Sequence, residues 1–331
     1  MSQPLPDNIT LLVQSPQLRK DEVEAVVTIP TFRRPDHLLK TLYSVKAQAT
    51  GRRFAIIVIE NDAEGQEGAA AVRSLFADGT FEGLLIVARD KGNCNAYNAG
   101  WRTALVHFPN FSSLLVIDDD EIADENWLEN MAAAGERYGA DIVGGPQIPV
   151  FERPEQAEWA AHPIFTPRYD RSGPVAALYS SGNLLISRRV LEAMPYPFLD
   201  PMFNFMGGGD ADFLDRSVVK GFRLAWCAEA PVRETIPSRR LERDWIRARG
   251  LRNGVISTLV EKRKRADEPL GRLRVILKSL ALLAFSPFKA AVKGVKSGSP
   301  ATGFYYIHIG LGRVLAEFGY ANEQYRQPEK N

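Results

Sequence analysis

Cysteine and histidine are scarce in this chain: two and four in 331 residues. Cys94 and Cys227 lie far apart and make neither a CxxC pair nor a disulfide framework, which points to a reducing compartment and argues against a cysteine-type zinc site. Long apolar runs are missing as well. No stretch reaches ~18 uninterrupted apolar residues, so no clear transmembrane helix is expected. The longest such stretch near the end, Val275 to Phe288, is interrupted by Lys278 and Pro287. The opening residues, MSQPLPDNIT, show neither the basic nor the apolar region of a signal peptide. Internal repeats and low-complexity tracts are absent, and the net charge of +1 names no partner. An apolar fraction of 45 % with 24 % charged residues is what a chain with a sizeable core carries.

What is present is an alternation of short apolar runs with amphipathic stretches. Residues 1–22 read as a polar lead-in. Ala25 to Ile29 is a β-branched run ended by Pro30, suited to a strand buried on both faces of a parallel sheet. Leu38, Leu39, Leu42 and Val45 then follow helical spacing behind Pro35. Strands are expected again at Phe54–Ile59, Leu84–Ala88, Ser113–Ile117 and Asp141–Val143. Helices are expected at Ala69–Phe76, Asn95–His107 and Glu125–Tyr138. This is the pattern of an α/β fold with a mostly parallel, Rossmann-like sheet flanked by helices. Residues 146–177 read as a long loop, followed by strands at Leu178–Ile186 and Phe222–Cys227 and a helix at Asp210–Lys220.

Three motifs carry chemistry. Asp118-Asp119-Asp120-Glu121 directly follows an apolar strand, at the end where open parallel sheets bind ligands. Crowded carboxylates raise one another's pKa unless a cation neutralises them, and oxygen-only donors favour Mg²⁺ or Mn²⁺. A solvated acidic turn capping the next helix is the plain alternative. Gly207-Gly208-Gly209-Asp210-Ala211-Asp212-Phe213 combines a permissive backbone with carboxylates entering a helix, where Asp is also an ordinary cap. Asn93 to Gly100 lies at a strand-to-helix junction; its amides could read a base or ribose, or could merely turn the chain.

The order of these motifs resembles glycosyltransferase family 2, the inverting enzymes with the A-type nucleotide-sugar fold. The resemblance runs from about Ala25 to Gly254. It rests on Ile29-Pro30-Thr31-Phe32-Arg33-Arg34, Ile59-Glu60-Asn61-Asp62, Asn93 to Gly100, Ile117 to Glu121 with Trp127-Leu128, Gly182-Asn183-Leu184-Leu185, and Gly207 to Phe213. It implies a metal-dependent transfer of sugar from a nucleotide-sugar donor, with UDP-sugars favoured, to a saccharide or polyprenyl-linked acceptor in cell-surface polysaccharide assembly. By the same resemblance Pro30, Thr31, Arg33, Glu60, Asp62, Asn93, Asn98, Asp118 and Asp119 would line the nucleotide. Asp118 and Asp120 would hold the metal, and Gly182, Asn183, Gly208 and Gly209 would face the sugar or acceptor. Asp210, with Asp212, would supply the catalytic base, and Arg239, Arg240 and Arg247 would touch the diphosphate. The sequence departs from the family at Gly209, where a Glu is usual, at Tyr97, where Arg is common, and at Glu60-Asn61-Asp62.

Other readings compete with this one. A nucleotidyltransferase would want a glycine-rich basic loop after the first strand, where this chain has Pro30 to Arg34. An Asp-x-Asp phosphatase would carry its pair after the first strand, not the fourth. The Gly209 departure keeps open a non-catalytic nucleotide-binding protein on a degenerate transferase fold.

Charge is unevenly spread. Between Arg239 and Lys296 there are sixteen Lys/Arg against five Asp/Glu, so the remainder is net acidic. Residues 22–254 are therefore read as the catalytic domain and 255–331 as a basic, amphipathic helical extension. That extension suits peripheral attachment to the cytoplasmic face of a membrane. A helix packed on the catalytic domain is the alternative, and no nucleic-acid motif is present.

Overall fold

The computed structural model describes residues 5–320, 323 and 326. The strands are β1 Ile9–Gln14, β2 Ala25–Thr31, β3 Phe54–Glu60, β4 Gly83–Ala88, β5 Ser113–Ile117, β6 Glu121–Ala123, β7 Ile142–Gly144, β8 Gln147–Phe151, β9 Gly173–Val175, β10 Asn183–Ser187, β11 Leu224–Trp226 and β12 Val232–Ile236. The helices are α1 Pro35–Lys46, α2 Glu67–Ala77, α3 Asn93–His107, α4 Trp127–Tyr138, α5 Arg188–Ala193, α6 Gly209–Val219, α7 Arg243–Lys264, α8 Gly271–Ser297 and α9 Pro300–Leu315. Short 3-10 turns punctuate the remainder.

The nine-stranded sheet runs β1-β4-β3-β2-β5-β10-β7-β11-β9. Strands β2, β3, β4 and β5 are mutually parallel, and β11 is parallel to β7; β1, β10 and β9 run against their neighbours. The mostly parallel α/β architecture expected from the apolar runs is thus present. Three elements differ from expectation. The polar lead-in contains β1, whose Ile9 to Gln14 pairs with β4 and shields that sheet edge. The 146–177 loop holds two short strands and a 3-10 helix, Pro154–Ala161. The strand expected from Leu178 begins only at Asn183, because it pairs antiparallel with β5 from Asn183 opposite Ile117.

The chain divides into two compact units. One comprises the residues up to Ile148 with Pro167–Asn204 and Ser217–Glu234; the other comprises Pro149–Thr166, Phe205–Arg216 and the chain from Thr235. Residue 254, the expected boundary, lies within α7. The first unit's core packs Val27, Ile29 and Val58 of the sheet against Leu38, Phe76 and Trp127 of the helices, all fully or nearly fully buried.

In the second unit, α7 and α9 meet at glycines. A Cβ on Gly254 would stand 2.2 Å from the Ile309 carbonyl oxygen, and one on Gly312 would stand 2.1 Å from that of Leu251, so only glycine permits this approach. An ion-pair knot ties three helices together. Glu261 of α7 accepts from Lys278 of α8 at 2.8 Å and from Arg313 of α9 at 2.7 Å. Helix α8 continues through Pro287. A proline has no N–H for the carbonyl four residues back, and here the Ser286 hydroxyl donates to that Leu283 oxygen at 2.7 Å instead.

Candidate active site at the strand ends

The carboxyl ends of β2 and β5 lie side by side in parallel register, and that adjacency builds the site. Thr31, the last residue of β2, donates its hydroxyl to Asp119 Oδ2 at 2.8 Å. Arg34, three residues on, reaches Asp120 Oδ2 at 2.7 Å and Asp119 Oδ1 at 3.3 Å. Beneath them, the Thr41 hydroxyl of α1 bonds the backbone carbonyls of Asp119 and Glu121 and pins the turn. Glu121 accepts the Asp118 backbone N–H at 2.9 Å and a Gln147 amide N–H. The Tyr97 hydroxyl of α3 donates to Asp118 Oδ1 in a short hydrogen bond. Gly182, just before β10, comes so close that a Cβ there would sit 2.8 Å from Glu121 Oε1 and 3.0 Å from Asp118 Oδ2.

The electrostatics are lopsided. Burial, reinforced by the Asp120 charge, pushes Asp118 up to about 7. Burial pushes Asp119 to about 7 as well, against the pull of Arg34. Burial, with the charges of Asp118 and Glu234, also holds Glu121 well above the usual carboxylate range, and Tyr97 is raised by burial and by Asp118. Arg34 is bonded to Asp119 and Asp120 of this cluster. Crowded, buried carboxylate oxygens fit a hard divalent ion. Among the described residues no group of three or more His, Cys, Asp or Glu converges on one metal position. The fit is therefore to an ion held by one or two carboxylates, with its other ligands coming from substrate and water.

Several expected contact residues have hydrogen-bond partners within the fold. Glu60 is fully buried, and its carboxylate accepts the N–H groups of Asp62 and Ala69, so it ties β3 to the start of α2. Asn98 exchanges both amide hydrogen bonds with the Leu199 backbone. Asn183 accepts from the Trp127 indole and donates to the carbonyls of Pro146 and Ala230. Asp62 pairs with Arg33 at 2.6 Å, and that hydrogen bond holds its carboxyl below the usual range. Pro30 is half-buried in β2, while Asn93 is exposed at the start of α3.

Gly208, Gly209, Asp210, Asp212, Arg239, Arg240 and Arg247 belong to the second unit. There Asp212 is almost wholly buried between Arg216 at 2.8 Å and Arg263 at 2.7 Å, which makes it a structural ion-pair partner. Asp210 is half-buried in the first turn of α6 and accepts from the Ala211 N–H. Arg240 stacks on Trp245. Sequence reasoning passed over Arg34 and Tyr97 as site residues. The doubled arginine after β2 and the unusual tyrosine in α3 were the available signals.

Comparisons with known proteins bear on the family and the fold. The succinoglycan biosynthesis protein ExoM of Rhizobium meliloti (strain 1021) is 27 % identical over 232 residues, covering 69 % of this chain and 72 % of that one. The mannosyltransferase PcManGT from Pyrobaculum calidifontis, solved with GDP-Man and Mn²⁺, matches with TM-score 0.56 and 14 % identity over 90 % of each chain. S. aureus TarS 1-349 in complex with UDP matches with TM-score 0.52 and 13 % identity over 90 % and 91 %. At such identities the two structures speak for the fold. The glycosyl transferase family 2 model matches residues 26–194, just over half the chain, and the protein belongs to that family, with a transferase's A-type fold.

Proposed function

We propose that the protein is an inverting, divalent-metal-dependent glycosyltransferase that moves a sugar from a nucleotide-sugar donor to a saccharide or lipid-linked saccharide during polysaccharide assembly. The observation that carries this is the crowded, buried carboxylate cluster Asp118–Glu121 at the adjoining ends of β2 and β5, inside the family-matched segment. UDP-sugars head the donor candidates; TarS was solved with UDP and PcManGT with GDP-Man. Succinoglycan biosynthesis by the ExoM relative supports the polysaccharide setting. Two buried cysteines without a disulfide suit a cytoplasmic location.

Asp118 and Asp120 would hold Mg²⁺ or Mn²⁺, which when bound supplies Lewis-acid stabilisation of the departing diphosphate. Tyr97 orients Asp118, and Thr31 with Arg34 orients Asp119, so the acidic turn is set before donor arrives. Arg34 adds a fixed positive charge beside Asp120. Asp210 is the assigned base, since Asp212 is locked between two arginines. It accepts the acceptor hydroxyl proton as that oxygen bonds the anomeric carbon. The carbon–oxygen bond to the diphosphate breaks, its electron pair leaving with the phosphate oxygen. One such displacement inverts the anomeric centre.

The test is nucleotide release from UDP-, GDP- and dTDP-sugars with Mg²⁺ or Mn²⁺, beside Asp120→Ala. Slow hydrolysis of one donor, lost with chelator and in the variant, is expected. Turnover indifferent to both chelator and Asp120 would refute the metal assignment.

A further inference from the structure

Helix α8 is 27 residues long and contains a stretch of mean hydropathy 1.7, enough in length and composition to cross a bilayer. Its packing and charge indicate a different arrangement. Its buried residues, Gly271, Val275, Ser279, Ser286 and Ala290, form one narrow stripe. That stripe packs on α9, where Gly303 and Gly310 come against the α8 backbone. Turned away from it, Leu273, Leu277, Leu280, Phe288 and Val295 recur at whole-turn intervals, with Phe285 beside them. All six are exposed, Phe285 at 70 % and Phe288 at 72 %. A folded chain seldom leaves so long an apolar line in water without a partner.

Charge identifies the partner. Helix α8 contains no Asp or Glu but six cations, Arg272, Arg274, Lys278, Lys289, Lys293 and Lys296; at helical spacing Lys289 and Lys296 fall beside Phe285 at the border of the apolar face, with Lys289 lying over the Tyr306 ring of α9 at 4.4 Å. An apolar ridge edged with lysine is complementary to acyl chains below an anionic headgroup layer. The charges also fix the orientation. Between Lys278 and Lys289 the uncharged stretch is only about 15 Å long at ~1.5 Å per residue, roughly half the ~30 Å hydrocarbon thickness. A spanning α8 would bury cations and surrender its whole seam with α9.

We propose that α8 lies in the plane of an anionic phospholipid surface, with Phe285 and Phe288 inserted among the acyl chains and Lys289 and Lys296 at the headgroups. This is independent of the transferase reading, since it rests on the helical unit alone. It predicts a monotopic attachment that one face of one helix provides.

The experiment is co-sedimentation of the full chain with phosphatidylcholine vesicles, with and without phosphatidylglycerol. Binding only to the anionic vesicles, weakened by salt and released by alkaline carbonate, is expected. The pair Phe285→Ser/Phe288→Ser should lower partitioning at least about tenfold. The double variant Lys289→Gln/Lys296→Gln should lower it by roughly tenfold or more and flatten the salt dependence. Circular dichroism checks that these surface variants stay folded. Three outcomes overturn the proposal: equal binding to both vesicle types or none; resistance to carbonate with release only by detergent, which marks a spanning helix; or a concentration-dependent dimer lost in the phenylalanine variant without vesicle binding. Donor hydrolysis, measured separately, tells failure here from failure of the transferase assignment.

Discussion

The two units handle buried carboxylates in opposite ways. At the strand ends of the first, four consecutive acids crowd together, Arg34 reaches Asp119 and Asp120, and burial lifts Asp118 and Asp119 to about 7. In the helical unit Glu261 is met by Lys278 and Arg313, whose charges outweigh burial and hold it below the usual carboxylate range. A satisfied network stabilises the fold. Crowded buried carboxylates cost stability and persist where a ligand completes them. The contrast supports, without reference to any relative, the proposal of the first as a site.

The largest effect that would sharpen the contrast is functional. Asp120→Asn should lower kcat/KM for donor turnover on the order of a thousandfold while leaving Tm nearly unchanged. A stable variant with full turnover would erase the distinction. Next comes the scaffold counterpart. Glu261→Ala strands the buried Arg313 guanidinium and should cost about 3 kcal/mol by denaturant unfolding, with donor affinity unaltered.

Acid should act on the helical unit through His162, which is surrounded by the rings of Trp159, Phe165 and Tyr305. Burial lowers its pKa to about 4. The folded pKa lies below the ordinary 6.5, so the unfolded chain binds the extra proton between those values. Stability from this group is complete above about 6.5 and falls as pH drops toward 4, by roughly 2 kcal/mol allowing for residual solvent screening. His162→Leu should flatten the difference between unfolding midpoints at the two ends of that window; an undiminished difference would assign it elsewhere. The smallest effect is at Tyr97→Phe. Losing the hydroxyl that holds Asp118 should weaken Mn²⁺ affinity about tenfold, read by titration, with little change in Tm.

The alternation from β2 to β7 was legible because strands covered on both faces read as unbroken apolar runs, as at Leu84 to Ala88. The acidic turn was legible because it abuts such a run. Strand direction was not: periodicity is the same in both senses, so the reversal of β10 between β5 and β7 appears only in the pairing. Nor could local sequence reveal how Glu60, Asn98 and Asn183 are used. Asn98 finds its partners at Leu199, and Asn183 finds one at Trp127, contacts made by the tertiary fold. Asp212 stands in the expected motif, yet its arginines come from within α6 and from distant α7.

The glycines where α7 crosses α9 reverse the usual expectation of which positions a population of variants can explore. In most helical assemblies the bulky residues are the ones drift cannot touch. Here the hydrogen atoms of Gly254 and Gly312 are the contact surface, so one added methyl group meets main chain, which has no rotamer into which to retreat. A saturation library of this region should show its deepest depletion at its smallest residues, while the large apolar side chains along outer α8 vary freely wherever lipid is absent from the selection.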